Sequence, residues 1–246
     1  MQQVLWKKAE FAVKIPVIAG TTLSSYPDFA RGFNLAKNIE DDAEKVEQAR
    51  LRLMQATGLN RRFLWLNQIH SAEVITADKY FDGVSADAAI SRDKNTVAVV
   101  MTADCVPILL ARRDGQEVAA IHAGWRGIYG EIIPRTVEKL QGEMADFYAY
   151  IGPCAGRDKY EVDTEFRTRF CEMNAEFARF FRPSEREKHY LADLVAIVKY
   201  QLNAGGISDE RITGGEICSI SDERFFSYRR DGKKAGRTAT FVACNG

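Results

Sequence analysis

Short apolar runs typical of buried β-strands recur along this chain of 246 residues and alternate with segments of helical periodicity. The runs comprise residues 63–70, 74–77, 96–101, 107–112, 117–122, 147–151 and 238–243. Strands that alternate with helices, and that are joined in places by tight hairpins, predict an α/β fold with mixed sheets rather than a purely parallel sheet.

Four segments between these runs predict helices. In the first, Asp41 and Asp42 can cap the N-terminus, and Gly58 ends the helix. One face of this helix is predicted to carry Val46, Ala49, Leu53 and Ala56. The other three helices are expected over about 131–140, 163–173 and 191–203.

The composition narrows the classes of function. The chain has 34 basic and 34 acidic residues, so it has no net charge of the kind that gathers nucleic acid or an anionic membrane surface. It has no apolar run long enough to cross a bilayer and no secretory signal, and its five cysteines are odd in number and scattered. Without a linker or repeat, we predict a single domain over 1–246, located in the cytoplasm, that acts on a small molecule.

Histidine is scarce, with three residues in the chain, and two of them end apolar runs. His70 ends the run 63–70, His122 ends the run 117–122, and Cys105 follows a third apolar stretch. Residues 107–122 are typical of a hairpin that turns at Asp114 and Gly115. In that register His122 faces Pro107, and Cys105 lies diagonally about 7–8 Å away at Cα.

This geometry predicts a mononuclear zinc site with His70, Cys105 and His122 as ligands, and copper could occupy the same site. Three protein ligands leave one coordination position open for chemistry, which is typical of a catalytic zinc and not of a structural one. The alternative is that Cys105 is a small core residue and His122 a buried, hydrogen-bonded histidine.

Other residues near these ligands are candidates for the chemistry. We interpret Asp104, Arg126 and Gln68 as catalytic candidates and Trp125 as a substrate contact, because they flank the three ligands. Asp104 and Asp87 could orient a histidine or carry a proton, although an Asp at a strand end can equally form a turn or a cap.

The segment 225–237 carries clustered cations between aromatic residues and is predicted to be a hairpin that forms a pocket wall. Its substrate-binding candidates are Tyr228, Arg229, Arg230 and Arg237, which could stack a planar group and hold an anion. A solvated basic face is the alternative. Cys154 is either a second thiol nucleophile or a buried core residue.

Seven motifs spread over residues 64–241 resemble those of the bacterial YfiH family of laccase-domain proteins, in the family's order. They are LWLNQIHSAEV, SADAAIS, VMTADCVPILL, AAIHAGWRGI, IGPCAG, HYLADL and FFSYRRDGKKAGRTATF. The resemblance implies a four-layer α/β/β/α fold, similar to that of the cytotoxic necrotizing factor hydrolases. It also implies zinc on the residues that match the motifs, which are His70, Cys105 and His122.

The resemblance further implies phosphorolysis of adenosine, inosine and methylthioadenosine, with deamination of adenosine as a second activity. Other members of the family are described as polyphenol oxidases, or as peptidoglycan-editing enzymes that remove L-Ser from a nucleotide-linked cell-wall precursor. Members commonly carry Arg-x-Gly-Gly-Val-Ser near the N-terminus, whereas this chain has Thr-Thr-Leu-Ser-Ser-Tyr-Pro-Asp-Phe at 21–29.

Coordination chemistry separates some of these activities. A multicopper laccase needs several copper ions held largely by imidazoles, and three histidines cannot supply them. Purine nucleoside chemistry is the leading prediction, because one site would serve two activities, and peptidoglycan editing is the alternative. A non-enzymatic zinc-stabilised interaction module would instead have a closed fourth coordination position.

Overall fold

The computed structural model describes residues 5–25, 32–37, 39 and 41–244, and two large β-sheets lie at its centre. In spatial order, the five-stranded sheet contains β1 (Trp6–Lys8), β2 (Val17–Thr22), β14 (Thr238–Cys244), β6 (Thr96–Thr102) and β3 (Arg62–Trp65). The six-stranded sheet contains β13 (Ile212–Gly214), β9 (Phe147–Ile151), β7 (Val106–Arg112), β8 (Val118–Ala123), β5 (Ala88–Ser91) and β4 (Val74–Thr76). Each sheet combines antiparallel pairs with parallel pairs at its edges, so the prediction of mixed sheets is confirmed.

A small sheet and the helices cover these two sheets. The small sheet contains β10 (Glu161–Asp163), β12 (His189–Ala192) and β11 (Phe181–Pro183). The helices are α1 (Ala43–Thr57), α2 (Trp125–Tyr129), α3 (Ile132–Val137), α4 (Thr164–Met173), α5 (Leu194–Ala204) and α6 (Tyr228–Asp231).

Three apolar cores separate the layers. Successive side chains of β7 point to opposite faces of the sheet and belong to two of these cores. Leu109 and Ala111 belong to the core between the two large sheets. Ile108 and Leu110 face the opposite way and pack with residues of α3 and α5. A third core lies between the five-stranded sheet and α1. The order of layers is therefore α/β/β/α, as the family resemblance implied.

Helix α1 begins and ends where its capping residues predict. The side chain of Asp42 accepts hydrogen bonds from the backbone N–H groups of Glu44 and Lys45. Gly58 terminates the helix in the left-handed conformation, with φ of 66°. Val46, Ala49 and Leu53 are buried as predicted, whereas Ala56 is exposed and does not belong to the packed face.

The central hairpin has the predicted register, because Pro107 pairs with His122. Gly115 turns the chain with φ of 71°, and Asp114 accepts a hydrogen bond from the backbone N–H of Gln116. A Cβ on residue 115 would lie 2.5 Å from the carbonyl oxygen of Pro16, so this turn also packs against a distant loop.

Three predictions about secondary structure were wrong. The predicted strand 63–70 ends at Trp65, because the chain then enters a loop in which His70 has φ of 59°. The predicted helix 191–203 begins only at Leu194, since the preceding residues pair in the small sheet and Asp193 caps the helix. The segment 225–237 forms α6 and a 3-10 turn instead of a hairpin.

Two further predictions concern the N-terminal part and the membrane. Of the segment 21–29 that departs from the family pattern, residues 26–29 lie outside the described residues. Among the residues that are described, no helix is both long enough and apolar enough to span a bilayer.

We expect Gly115→Ala to destabilise the fold more than Gly58→Ala. Both glycines have positive φ, which costs a residue with a Cβ about 1–2 kcal/mol, but Gly58 has nothing within 4 Å of an added Cβ. At Gly115 the contact with Pro16 should add about 1 kcal/mol or more. Urea unfolding of the two variants measures the difference, and equal losses would show that the contact with Pro16 is unimportant.

Candidate metal centre

The β7–β8 hairpin supplies two of the three predicted ligands. Cys105 directly precedes β7, and His122 lies near the end of β8, opposite Pro107. Since side chains alternate along a strand, Cys105, Pro107 and His122 share one face of this hairpin. The sequence-predicted diagonal arrangement of thiol and imidazole is therefore present in the structure.

The third ligand, His70, lies in the loop after β3 and depends on Asp87 for its conformation. The backbone N–H groups of Ile69, His70 and Ser71 all donate to the Asp87 carboxylate, at 3.3, 3.1 and 2.6 Å. These contacts hold His70 at φ of 59°, an uncommon conformation for a residue with a side chain.

The three side chains converge on one point. One ligand atom from each of His70, Cys105 and His122 lies within 4.8 Å of the other two. Cys105 Sγ is 3.8 Å from His70 Nε2, and the two imidazole rings meet edge to face with centroids 4.7 Å apart. Bonds of about 2.0–2.3 Å allow one ion to reach all three atoms.

The donor set also fits a metal chemically. Two imidazoles and a thiolate suit zinc or copper, and they do not suit magnesium or calcium, which prefer oxygen ligands. The carboxylates nearby are occupied by protein donors. Asp87 Oδ1 accepts from His122 Nδ1 at 2.7 Å, and Asp104 accepts from Ser219 and from the backbone of Arg229.

Electrostatics favours the ionised thiol. Burial opposes ionisation of Cys105, but the imidazoles of His122 and His70 outweigh this effect and lower its pKa to about 6. Burial likewise opposes the charged form of His122, yet the Cys105 thiolate and the Asp87 carboxylate raise its pKa to about 9. At neutral pH Cys105 is therefore a thiolate, which is the form that binds a metal.

Gly124 lies against all three predicted ligands. A Cβ on this residue would lie 2.8 Å from His70 Cδ2, 3.2 Å from Cys105 Sγ and 3.4 Å from His122 Nε2. The first of these contacts is too short for a carbon–carbon contact. Glycine at 124 therefore allows the three predicted ligands to pack closely.

A cavity of about 350 Å³ opens onto the three ligands. Nine of the residues singled out in the sequence line it: Gln68, His70, Asp104, Cys105, His122, Trp125, Tyr228, Arg229 and Arg237. Six further lining residues were not singled out as site residues: Ala36, Met101, Thr102, Ala103, Tyr160 and Leu194. Four of them, Met101, Thr102, Ala103 and Leu194, lie within motifs of the family resemblance, whereas Ala36 and Tyr160 lie in none of them. Of these, Tyr160 is a buried phenol whose pKa is raised to about 12 by burial.

Two of the arginines singled out in the sequence lie outside this cavity. Arg230 donates to the carbonyl oxygens of Ser219 and Phe225 and pairs with Asp231, so these contacts fasten it to its own loop. Arg126 is exposed, and its guanidinium packs 4.4 Å from the ring centroid of Trp125. The roles predicted for these two arginines, catalysis for Arg126 and substrate binding for Arg230, stay predictions.

Gln68 and Asp104 line the cavity but are engaged by backbone groups. The Gln68 amide donates to the Met101 carbonyl at 2.8 Å and accepts from the Met101 N–H at 2.7 Å. Asp104 accepts from Ser219 Oγ and from the Arg229 N–H, each at 2.7 Å. These contacts fix the loops around the predicted ligands, and neither side chain hydrogen-bonds an imidazole.

Comparisons with known proteins show the family to which this chain is similar. The sequence profile of the family described as "Multi-copper polyphenol oxidoreductase laccase" matches residues 20–245. A Xylella fastidiosa (strain Temecula1) protein named purine nucleoside phosphorylase is 39% identical over 204 residues, which cover 80% of this chain and 78% of that protein. An Escherichia coli (strain K12) protein named purine nucleoside phosphorylase YfiH is 37% identical over 228 residues, which cover 92% and 90%.

The fold is shared with a solved structure as well. The crystal structure of the Neisseria meningitidis protein NMB0706 superposes with a TM-score of 0.91 at 32% identity, covering 98% of this chain and 100% of that one. The profile match spans nearly the whole sequence, and the relatives match over most of their length. The chain therefore belongs to the laccase-domain family that includes YfiH.

Proposed function

We propose that this protein is a cytoplasmic, zinc-dependent purine nucleoside enzyme that phosphorolyses adenosine, inosine and methylthioadenosine and deaminates adenosine. The observation that carries the proposal is the convergence of His70, Cys105 and His122 within 4.8 Å, in a cavity that also contains Arg237. The names of the relatives, purine nucleoside phosphorylase, support this class of reaction.

Zinc is the proposed metal, with His70, Cys105 and His122 as its protein ligands. Bound there, zinc would supply Lewis-acid chemistry, polarising a substrate atom or activating water at its open coordination position. Copper(II) favours the same donors and is the alternative metal. A multicopper laccase mechanism is not proposed, because the chain has three histidines and the third, His189, hydrogen-bonds the carbonyl of Glu187.

Arg237 is the proposed phosphate ligand. Its Nη1 donates to the carbonyl oxygens of Ala235 and Gly236, and among the described residues no carboxylate lies within ion-pair distance of it. Burial lowers the pKa of its guanidinium, which reflects a desolvated cation. Since a partly buried cation without an anionic partner is costly, an oxyanion in the cavity would stabilise it.

Aromatic side chains are suited to hold the purine. Trp125, Tyr160 and Tyr228 line the same cavity and offer ring faces or edges to a planar base. Arg229 stacks over the Tyr160 ring at 4.4 Å and donates to the Glu161 carbonyl, so its first role is to fix this wall. In phosphorolysis a phosphate oxygen attacks the sugar carbon while the bond from that carbon to the purine breaks.

We propose supporting roles for Asp104 and Gln68. Asp104 holds the backbone of Arg229 and thereby sets the start of α6, which carries Tyr228 into the cavity wall. Gln68 ties the loop before His70 to the end of β6 through Met101. Both residues would act on the reaction through the side chains that they hold, and not by proton transfer.

We expect Cys105→Ala to lose most of the bound zinc, because it removes the thiolate from a three-ligand site. Cys171→Ala is the matched control, since Cys171 is a free cysteine on α4 and does not line the cavity. Elemental analysis of both purified variants measures the stoichiometry. Full zinc occupancy in Cys105→Ala would contradict the proposed ligand set.

We expect Arg237→Ala to reduce phosphorolysis about ten- to a hundredfold at limiting phosphate, since one charged hydrogen-bonding contact contributes roughly 1.5–3 kcal/mol. Deamination consumes water and not phosphate, so it should fall less. Lys233→Ala removes an exposed cation from the same segment and should leave both rates unchanged. Both activities are measured over a phosphate titration.

An equal loss of both activities in Arg237→Ala, without a change in phosphate dependence, would refute the phosphate-ligand role. The same zinc-loaded protein should be incubated with separate nucleosides and phosphate, and with the serine-containing cell-wall precursor. Mass spectrometry then identifies the products. Release of serine without turnover of any nucleoside would replace purine chemistry by peptidoglycan editing.

A further inference from the structure

We propose that Asp87 is the positioning residue of this centre, and that its single carboxylate orients both imidazole ligands at once. The proposal rests on the metal centre of the proposed function and adds how that centre is organised. Asp87 directly precedes β5, and its side chain is fully buried. It does not line the cavity, so it acts through the ligands and not on a substrate.

The first half of the argument concerns His122. Asp87 Oδ1 lies 2.7 Å from His122 Nδ1, and the backbone N–H of His122 donates to the Asp87 carbonyl, also at 2.7 Å. A carboxylate can only accept, so Nδ1 must carry the proton. Once the ring loses its other proton, as metal binding requires, its lone pair is on Nε2, the nitrogen close to the Cys105 side of the centre.

The second half concerns His70. Three successive N–H groups, those of residues 69–71, converge on the same carboxylate, and Ser71 Oγ adds a fourth donor at 2.6 Å. Such convergence requires the left-handed conformation of His70, with φ of 59°. A glycine would adopt this conformation without strain, but it would have no imidazole. The carboxylate therefore stabilises a strained conformation that the ligand role requires.

The charge balance supports the same interpretation. Among the described residues, no lysine or arginine forms an ion pair with Asp87, and its negative charge is stabilised by N–H and O–H donors and by His122. Every one of these donors belongs to His122 or to residues 69–71. Loss of the charge would consequently release both histidines together while leaving the β7–β8 hairpin paired.

The test compares Asp87→Asn with Asp104→Asn. Asp104 is a matched control because it is a buried carboxylate in the same centre that accepts from Ser219 and Arg229 and contacts neither histidine. Zinc affinity is measured by competition with a chromophoric chelator, and the thermal unfolding of each metal-free variant is measured in parallel. We expect Asp87→Asn to weaken zinc binding about ten- to a hundredfold, and Asp104→Asn to weaken it much less.

A second measurement needs no variant at Asp87. In the zinc-loaded wild-type protein, nitrogen NMR of the histidine rings should show a protonated Nδ1 and a proton-free Nε2 in His122. Ser71→Ala, which removes one donor to Asp87 and keeps the backbone donors, should weaken zinc binding relative to the wild-type protein. These two readouts stand even if Asp87→Asn fails to fold.

Each outcome either supports or overturns the positioning role. Equal zinc affinity in Asp87→Asn and wild type, an equal loss in Asp87→Asn and Asp104→Asn, or a proton-free Nδ1 in His122 would overturn it while the metal centre stands. Failure of the wild-type protein to bind zinc, or unchanged binding in Cys105→Ala, would overturn the proposed centre itself. The two failures are thus distinguishable.

Discussion

Pairing between β7 and β8 brings Pro107 opposite His122 and sets the geometry of everything around it. The two strands occupy the middle of the six-stranded sheet, and their residues alternate between the core shared by the sheets and the core under the helices. A slip of one residue would exchange these two faces, at the cost of both cores. The register is thus fixed by burial on both sides, and the positions of Cys105 and His122 are fixed with it.

Outside this rigid hairpin, buried carboxylates organise the loops that complete the centre. His70 and Asp104 both have positive φ, a conformation that non-glycine residues rarely adopt. The loop of His70 is held by Asp87, and Asp104 is anchored by its own side chain to Ser219 and Arg229. Backbone strain of this kind persists only where surrounding contacts enforce it, and here it coincides with the ligands and their neighbours.

Arginines of the basic segment 225–237 differ in their contacts, although their positions in the sequence do not distinguish them. Arg237 lines the cavity with a guanidinium that bonds only backbone carbonyls and has no carboxylate partner among the described residues. Arg230, seven residues earlier, forms an ion pair with Asp231 and donates hydrogen bonds to carbonyl groups of its own loop. Two arginines of one basic segment therefore have different surroundings, because Arg237 is partly buried and lines the cavity, whereas Arg230 is fastened to its own loop.

Elements whose signals are local in the chain could be predicted from the amino-acid sequence. Hydrophobic alternation gave most of the central strands, Asp42 and Gly58 gave the ends of α1, and the turn at Gly115 gave the register that relates Cys105 to His122. Only the packed structure shows that Asp87 holds both the loop of His70 and the side chain of His122 on β8, that Tyr160 and Leu194 line the cavity, and that Arg126 and Arg230 do not. Local periodicity and turn chemistry act between near neighbours in the chain, whereas hydrogen bonds across 35 residues and the lining of a cavity depend on how whole layers pack.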